Sequence, residues 1–171
     1  MDQELFEKLK KEQISFVLKS FDENKSIYPH ITIIGYYLEE DKPIVIHIPI
    51  PGKIMNNKEQ KEFFVEYIIP DIKKSILEKN IEIKCVCFVS EMWKKEISLE
   101  TNEEITSEGV IINMDCADFC TIRLYNIVRN NMKVTEDGFE SSTSLEFQDE
   151  KIDPSGIGEG LFANLYNKFT S

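Results

Sequence analysis

The stretch Ile81-Glu82-Ile83-Lys84-Cys85-Val86-Cys87-Phe88-Val89 begins in strict alternation and then turns wholly apolar. That pattern describes a strand entering the centre of a sheet. The rest of the chain then has to supply the strands beside it and the helices that cover them.

Two further runs fit as neighbours. His30-Ile31-Thr32-Ile33-Ile34-Gly35-Tyr36-Tyr37 is β-branched and aromatic, and Ile44-Val45-Ile46-His47-Ile48 repeats the pattern after the turn Glu39-Glu40-Asp41-Lys42-Pro43. Together they read as a hairpin. Pro49 and Pro51 cannot donate to a ladder, so the second strand ends there or lies at an edge.

Helical spacing appears in three places. Leu5, Phe6, Leu9, Phe16 and Val17 predict an amphipathic helix over residues 3–20. Asn57 with Gln60 resembles a capping box, and Phe64, Ile68, Ile72 and Ile76 continue at intervals of four. Pro70 falls inside that pattern and removes a helical hydrogen bond, so a kink or two abutting helices are expected over 58–79, closed by Asn80. Leu161, Phe162, Leu165, Tyr166 and Phe169 form one face of a C-terminal helix, about 160–169.

Gly109 to Met114 and Thr121 to Val128 read as two more strands, and Ser144 to Phe147 as a weaker one. The polar residues 94–107 offer few apolar anchors and read as a mobile acidic loop. The order is α-β-β-α-β-β-β, then the weak strand, then α. It predicts an α+β fold, with a mainly antiparallel sheet of five or six strands and helices packed against it. With 171 residues, one domain spanning 1–171 is the expected organisation. The element order resembles longin, Roadblock-type and profilin-like arrangements, which often serve as docking platforms; order alone implies no activity.

Charge narrows the partners. The chain carries 31 acidic and 20 basic residues, and residues 91–159 hold 16 of the former and 6 of the latter. Phosphate backbones attract basic surfaces, so nucleic acid is not an expected partner, whereas a basic protein is. No apolar run approaches the roughly 20 residues that span a bilayer, so no membrane association is expected. The start, Met1-Asp2-Gln3-Glu4, is acidic rather than a basic leader, so a cytoplasmic location is expected, with Cys85, Cys87, Cys116 and Cys120 as reduced thiols.

The residues capable of chemistry form no recognised motif. Cys85 and Cys87 are two apart on a strand, and Cys116 and Cys120 are four apart in a turn. Four thiolates could enclose zinc, but neither pair has the two-residue knuckle spacing, and core cysteine is the plainer reading. His30 opens one strand and His47 alternates with isoleucines in another. Either could act as a general base, yet no nucleophile is marked beside it, and Pro49 breaks the His-x-His pair of a JAB-type zinc hydrolase. Gly156-Ile157-Gly158-Glu159-Gly160 lacks a preceding strand and a following Lys-Ser/Thr, which makes it a hinge rather than a phosphate loop. Asp149, Glu150 and Asp153 lack the EF-hand spacing and read as a solvated acidic turn. No catalytic residue, cofactor site or metal site is assigned.

Ser90-Glu91-Met92-Trp93 stands apart, because it ends the central strand and presents the only tryptophan. Trp93 either caps the core or offers the large area and single donor that enrich tryptophan in binding hot spots. Here the chain resembles uncharacterised bacterial and phage-borne proteins with a strand-terminal Ser-Glu-x-Trp followed by an acidic region, a resemblance that implies no activity. Glu91 and Trp93 are therefore the expected partner-binding residues. The favoured function is a non-catalytic interaction module with an acidic face, of inhibitor or immunity type. A homodimer is also compatible with the C-terminal apolar stripe. The alternatives are a hydrolase without a recognisable motif, using a carboxylate with His30 or His47, and a metal or small-molecule sensor built on the cysteines.

Overall fold

The computed structural model describes residues 2–39, 42–97, 104–135, 138–153, 162 and 164–171. Helix α1 (Gln3–Asn24) opens on Asp2, whose carboxylate accepts the Leu5 N–H at 2.7 Å. This satisfies one of the donors that a helix start leaves unpaired. It closes on Lys25 in the left-handed region, φ 55°, with the Lys25 N–H returning to the Phe21 carbonyl. Its inner face buries Phe6, Ile14, Val17 and Phe21, while Phe16 stays 48% exposed on its flank.

The expected hairpin forms from β1 (His30–Tyr37) and β2 (Lys42–Pro49), with Thr32 opposite His47. Strand β2 pairs only with β1 and so forms one edge, where Pro43 and Pro49 are tolerated. At Gly35 the β1–β3 register shifts, and an added Cβ would stand 2.5 Å from the Glu82 carbonyl oxygen. A glycine lets the two backbones close there.

The second helical region is split as its proline requires. After the short α2 (Gly52–Met55) comes α3 (Lys58–Phe63), capped by Asn57 Oδ1 on the Gln60 N–H at 3.0 Å. A π-helical segment (Phe64–Ile68) then leads into α4 (Ile69–Leu77), with Pro70 in the first turn of α4. The missing N–H falls where the ladder changes from one helical register to the next. Asn80, at φ 53°, ends the run as expected.

The sheet is wholly antiparallel, in the order β2-β1-β3-β4-β5-β6, with β3 (Ile81–Ile97), β4 (Glu104–Cys116), β5 (Cys120–Thr135) and β6 (Gly138–Asp153). The chain is therefore α+β, and its central strand is the one the sequence marks. Two corrections concern length. Residues 94–97 and 104–107, expected as loop, are paired strand, from Lys94 opposite Ser107 to Ile97 opposite Glu104; residues 98–103 lie outside the described set. The weak strand at 144–147 extends through all of β6, so Asp149, Glu150 and Asp153 belong to a strand rather than a turn.

Side chains of β3 alternate between two apolar cores. Cys85, Cys87 and Val89 meet α1 together with Val110, Ile112 and Tyr125. Val86 and Phe88 point the other way, among Ile31, Ile33, Phe64, Ile69 and Ile76. The C-terminal residues close this second core: Phe162, Leu165 and Phe169 are buried on the chain's own sheet, and helix α5 is shorter than expected, Leu165–Thr170. Residues 160, 161 and 163 of the expected helix lie outside the described set.

Candidate functional site beside Trp93

Strand β3 loses its β1 neighbour after Val89, which pairs with His30, and β4 pairs with β5 only from Gly109 onward. Among the described residues, the ends of β3 and β4 beyond these points pair as strands only with each other and leave the sheet as a two-stranded ribbon. A second ribbon leaves the same end, where β5 and β6 pair past Asn126. Arg129 of β5 joins the two, donating Nε at 2.7 Å and Nη2 at 2.6 Å to Glu108 Oε2 of β4.

Ser90 through Trp93 lie at the root of the first ribbon. Phe88, Ser90 and Met92 share one face by the strand period, and a groove of ≈ 350 Å³ opens beside them. Its floor is apolar, with Phe88 and Phe162 stacked at 4.6 Å and 2° between ring planes, and Ile111 alongside. Met55 at the end of α2, Asn56 after it, and Lys61 of α3 form the opposite wall. Trp93 stands at the rim, 70% exposed. It does not cap the core.

Glu91 both lines the groove and braces it. Its Oε1 accepts the Ile27 N–H at 2.7 Å, tying the connection between α1 and β1 to β3. The acidic surplus of residues 91–159 is not concentrated in the groove, where one carboxylate, Glu91, and one ammonium, Lys61, are the charged lining groups.

The groove's far wall was not legible beforehand. Met55, Asn56 and Lys61 come from a connection and a helix start that carry no binding signature, and Phe162 reads as simple core. Only tertiary packing brings them to Trp93.

The other candidate residues are placed as follows. Cys85 and Cys116 face one another across β3 and β4, and Cys87 joins them in the α1 core. Cys120, opposite Asp115 in the β4–β5 register, is buried outside both core clusters and donates to Asn113 Oδ1 at 3.6 Å. All four are buried, and among the described residues no group of three or more His, Cys, Asp or Glu side chains is placed to hold a metal. Burial pushes the Cys87 thiol up to about 12 and Cys85 well above its ordinary value. These are inert core thiols.

The two histidines, distant in sequence, come together. Their ring centroids are 6.2 Å apart, and Phe16 stacks on His47 at 5.4 Å and meets His30 edge-on at 6.4 Å. His47 Nδ1 is 2.9 Å from Thr32 Oγ1, but Thr32 is fully buried, so its hydroxyl cannot meet a substrate. Burial holds the His30 ring below the usual histidine value.

Beneath the C-terminal segment, Asp115 Oδ2 accepts the Leu165 N–H at 3.0 Å, and Asn113 Nδ2 reaches the Phe162 carbonyl at 3.5 Å. These bonds explain why the segment docks on its own sheet. The glycine run 156–160 lies outside the described residues. No helix among the described residues is long and apolar enough to cross a membrane.

The chain matches no protein-family model, no curated protein and no solved structure.

Proposed function

We propose that the protein is a non-catalytic interaction module whose Trp93 groove receives an apolar side chain of a protein partner. The observation that carries this reading is the position of the only tryptophan: 70% exposed, at the rim of an apolar groove rather than in either core. Indole is a large amphipathic surface, and holding it in water has no folding benefit. Strand β3 and the helix α3 wall fix the groove before a partner arrives, which limits the ordering cost of binding. Met55 and Met92 add adaptable, polarisable contacts.

The acidic surplus of residues 91–159 has a separate role in this reading, that of drawing in a basic partner. An inhibitor or immunity-type protein that masks a basic toxin or nuclease is one concrete form. The test is retention of proteins from the native host on immobilised wild type and on Trp93→Ala, with folding checked by circular dichroism. The expected result is a specific protein retained by the wild type and lost by the variant. Its retention should weaken as salt shortens the Debye length from ~10 Å to ~3 Å. An identical set of retained proteins on the two folded baits sinks the proposal.

A further inference from the structure

We infer that His30 and His47 form a two-histidine site for a divalent first-row transition-metal ion, with Phe16 as its cover. The inference is independent of the Trp93 groove. These are the only histidines in the chain, and the β1–β2 register sets them diagonally on one face, His30 opposite Pro49 and His47 opposite Thr32.

Each ring is oriented through Nδ1. His30 Nδ1 lies 2.8 Å from the Tyr28 carbonyl oxygen, which can only accept, so Nδ1 carries the proton and Nε2 carries the lone pair. His47 Nδ1 is held by Thr32 Oγ1 at 2.9 Å, and Thr32 is immobilised by complete burial. A backbone carbonyl or hydroxyl on Nδ1, with Nε2 left over, is the arrangement that orients metal-binding histidines. His30 Nε2 is buried with no hydrogen-bond partner. A buried acceptor without a donor is costly unless something fills it.

Geometry sets what filling it requires. Zinc–nitrogen bonds of about 2.0–2.1 Å in a tetrahedral site bring two imidazole centroids to roughly 5 Å. The rings here are 6.2 Å apart, so they must close slightly. Phe16 packs against both rings but is 48% exposed, free on one side to rotate away and admit an ion. Imidazole nitrogen suits Zn²⁺, Ni²⁺ and Cu²⁺ rather than Mg²⁺ or Ca²⁺. With two protein ligands, the remaining positions belong to water or to a donor from a partner.

The test is titration of the full chain with Zn²⁺ by calorimetry and with Ni²⁺ by nuclear magnetic resonance, in wild type, His30→Gln, His47→Gln and Phe16→Ala. The expected result is one Zn²⁺ per chain, at least tenfold weaker binding in each glutamine variant, and binding in Phe16→Ala no weaker than in wild type. Paramagnetic Ni²⁺ should broaden the resonances of Phe16, His30, Thr32 and His47 together. His47 lies on the edge strand and is exposed, so His47→Gln carries the test even if His30→Gln fails to fold. Absence of stoichiometric uptake, equal affinity in His47→Gln, or broadening centred on Cys85 and Cys116 overturns the inference.

Discussion

Glu91 Oε1 accepts the Ile27 backbone N–H at 2.7 Å, joining two residues 64 positions apart. Ile27 is 5% exposed, so its N–H has little access to water if the carboxylate is removed. Glu91→Ala should therefore destabilise the fold by about 1–3 kcal/mol, the cost of an unmade buried hydrogen bond. Glu91→Gln keeps an oxygen in place and should cost about 1 kcal/mol or less. Urea denaturation of the three proteins separates these outcomes. Equal stability in wild type and Glu91→Ala would remove the brace.

Trp93 makes the opposite prediction. An exposed side chain contributes little to folding, so Trp93→Ala should change stability by no more than about 0.5 kcal/mol. Truncation of a tryptophan buried in a core costs about 3–5 kcal/mol. Because it is the only tryptophan, its fluorescence reports on this position alone. Native emission should lie close to that of the unfolded chain and be quenched readily by acrylamide. A strongly blue-shifted, protected emission would return Trp93 to the interior.

Where the sequence carried an apolar period, the fold could be read from it. The run at 81–89 is central, Pro70 divides its helix, Asn57 and Asn80 bound the region, and of the face expected for α1 Phe6 and Val17 are buried, Leu5 and Leu9 half-buried and Phe16 exposed. The ribbons were missed for a physical reason. Among the described residues no second strand pairs with 94–97 or 104–107, so the pattern need not carry an alternating apolar face, and backbone pairing across the hairpin defines the strand. Strand β6 is an edge strand that, among the described residues, pairs only with β5, and Leu145 is its apolar anchor against the α1 core. Of the site, Glu91 and Trp93 were visible because a strand end and a lone tryptophan are local features. The wall supplied by Met55, Asn56 and Lys61 was not, because it depends on how α2 and α3 settle over the sheet.

The thiols should be unreactive in the native state. Cys85 and Cys87 are fully buried, Cys116 and Cys120 nearly so, and burial raises the thiol pKa at Cys85, Cys87 and Cys116. The thiolate is the reacting form, so both access and ionisation oppose attack. Ellman's reagent at mildly alkaline pH should modify none of the four at an appreciable rate until denaturant is added, when all four should react. A rapid stoichiometric reaction of the folded protein would show that one of these cores opens readily.

Asp115 supplies a pH dependence with a definite sign. Burial raises its carboxyl above the ordinary 3.8, against the opposing influence of its hydrogen bonds with Cys120 and Leu165 and of the Lys168 charge. Below the unfolded value the carboxyl is protonated in both states, and its contribution to stability is fully present. As pH rises, the unfolded chain gives up the proton first, and that contribution is lost by the time the folded carboxyl ionises. Asp115→Asn keeps an acceptor for the Leu165 N–H and cannot ionise. Its stability relative to wild type should therefore rise as pH climbs past the ordinary carboxyl value of 3.8 and level off once the folded carboxyl has ionised. Asp115→Ala leaves that N–H unpaired and should lose about 1–3 kcal/mol at every pH. Denaturation curves for the three proteins across this range decide the matter. If the advantage of Asp115→Asn instead shrinks toward neutrality, attraction to Lys168 outweighs burial, and the ionised carboxylate is what holds the C-terminal segment on the sheet.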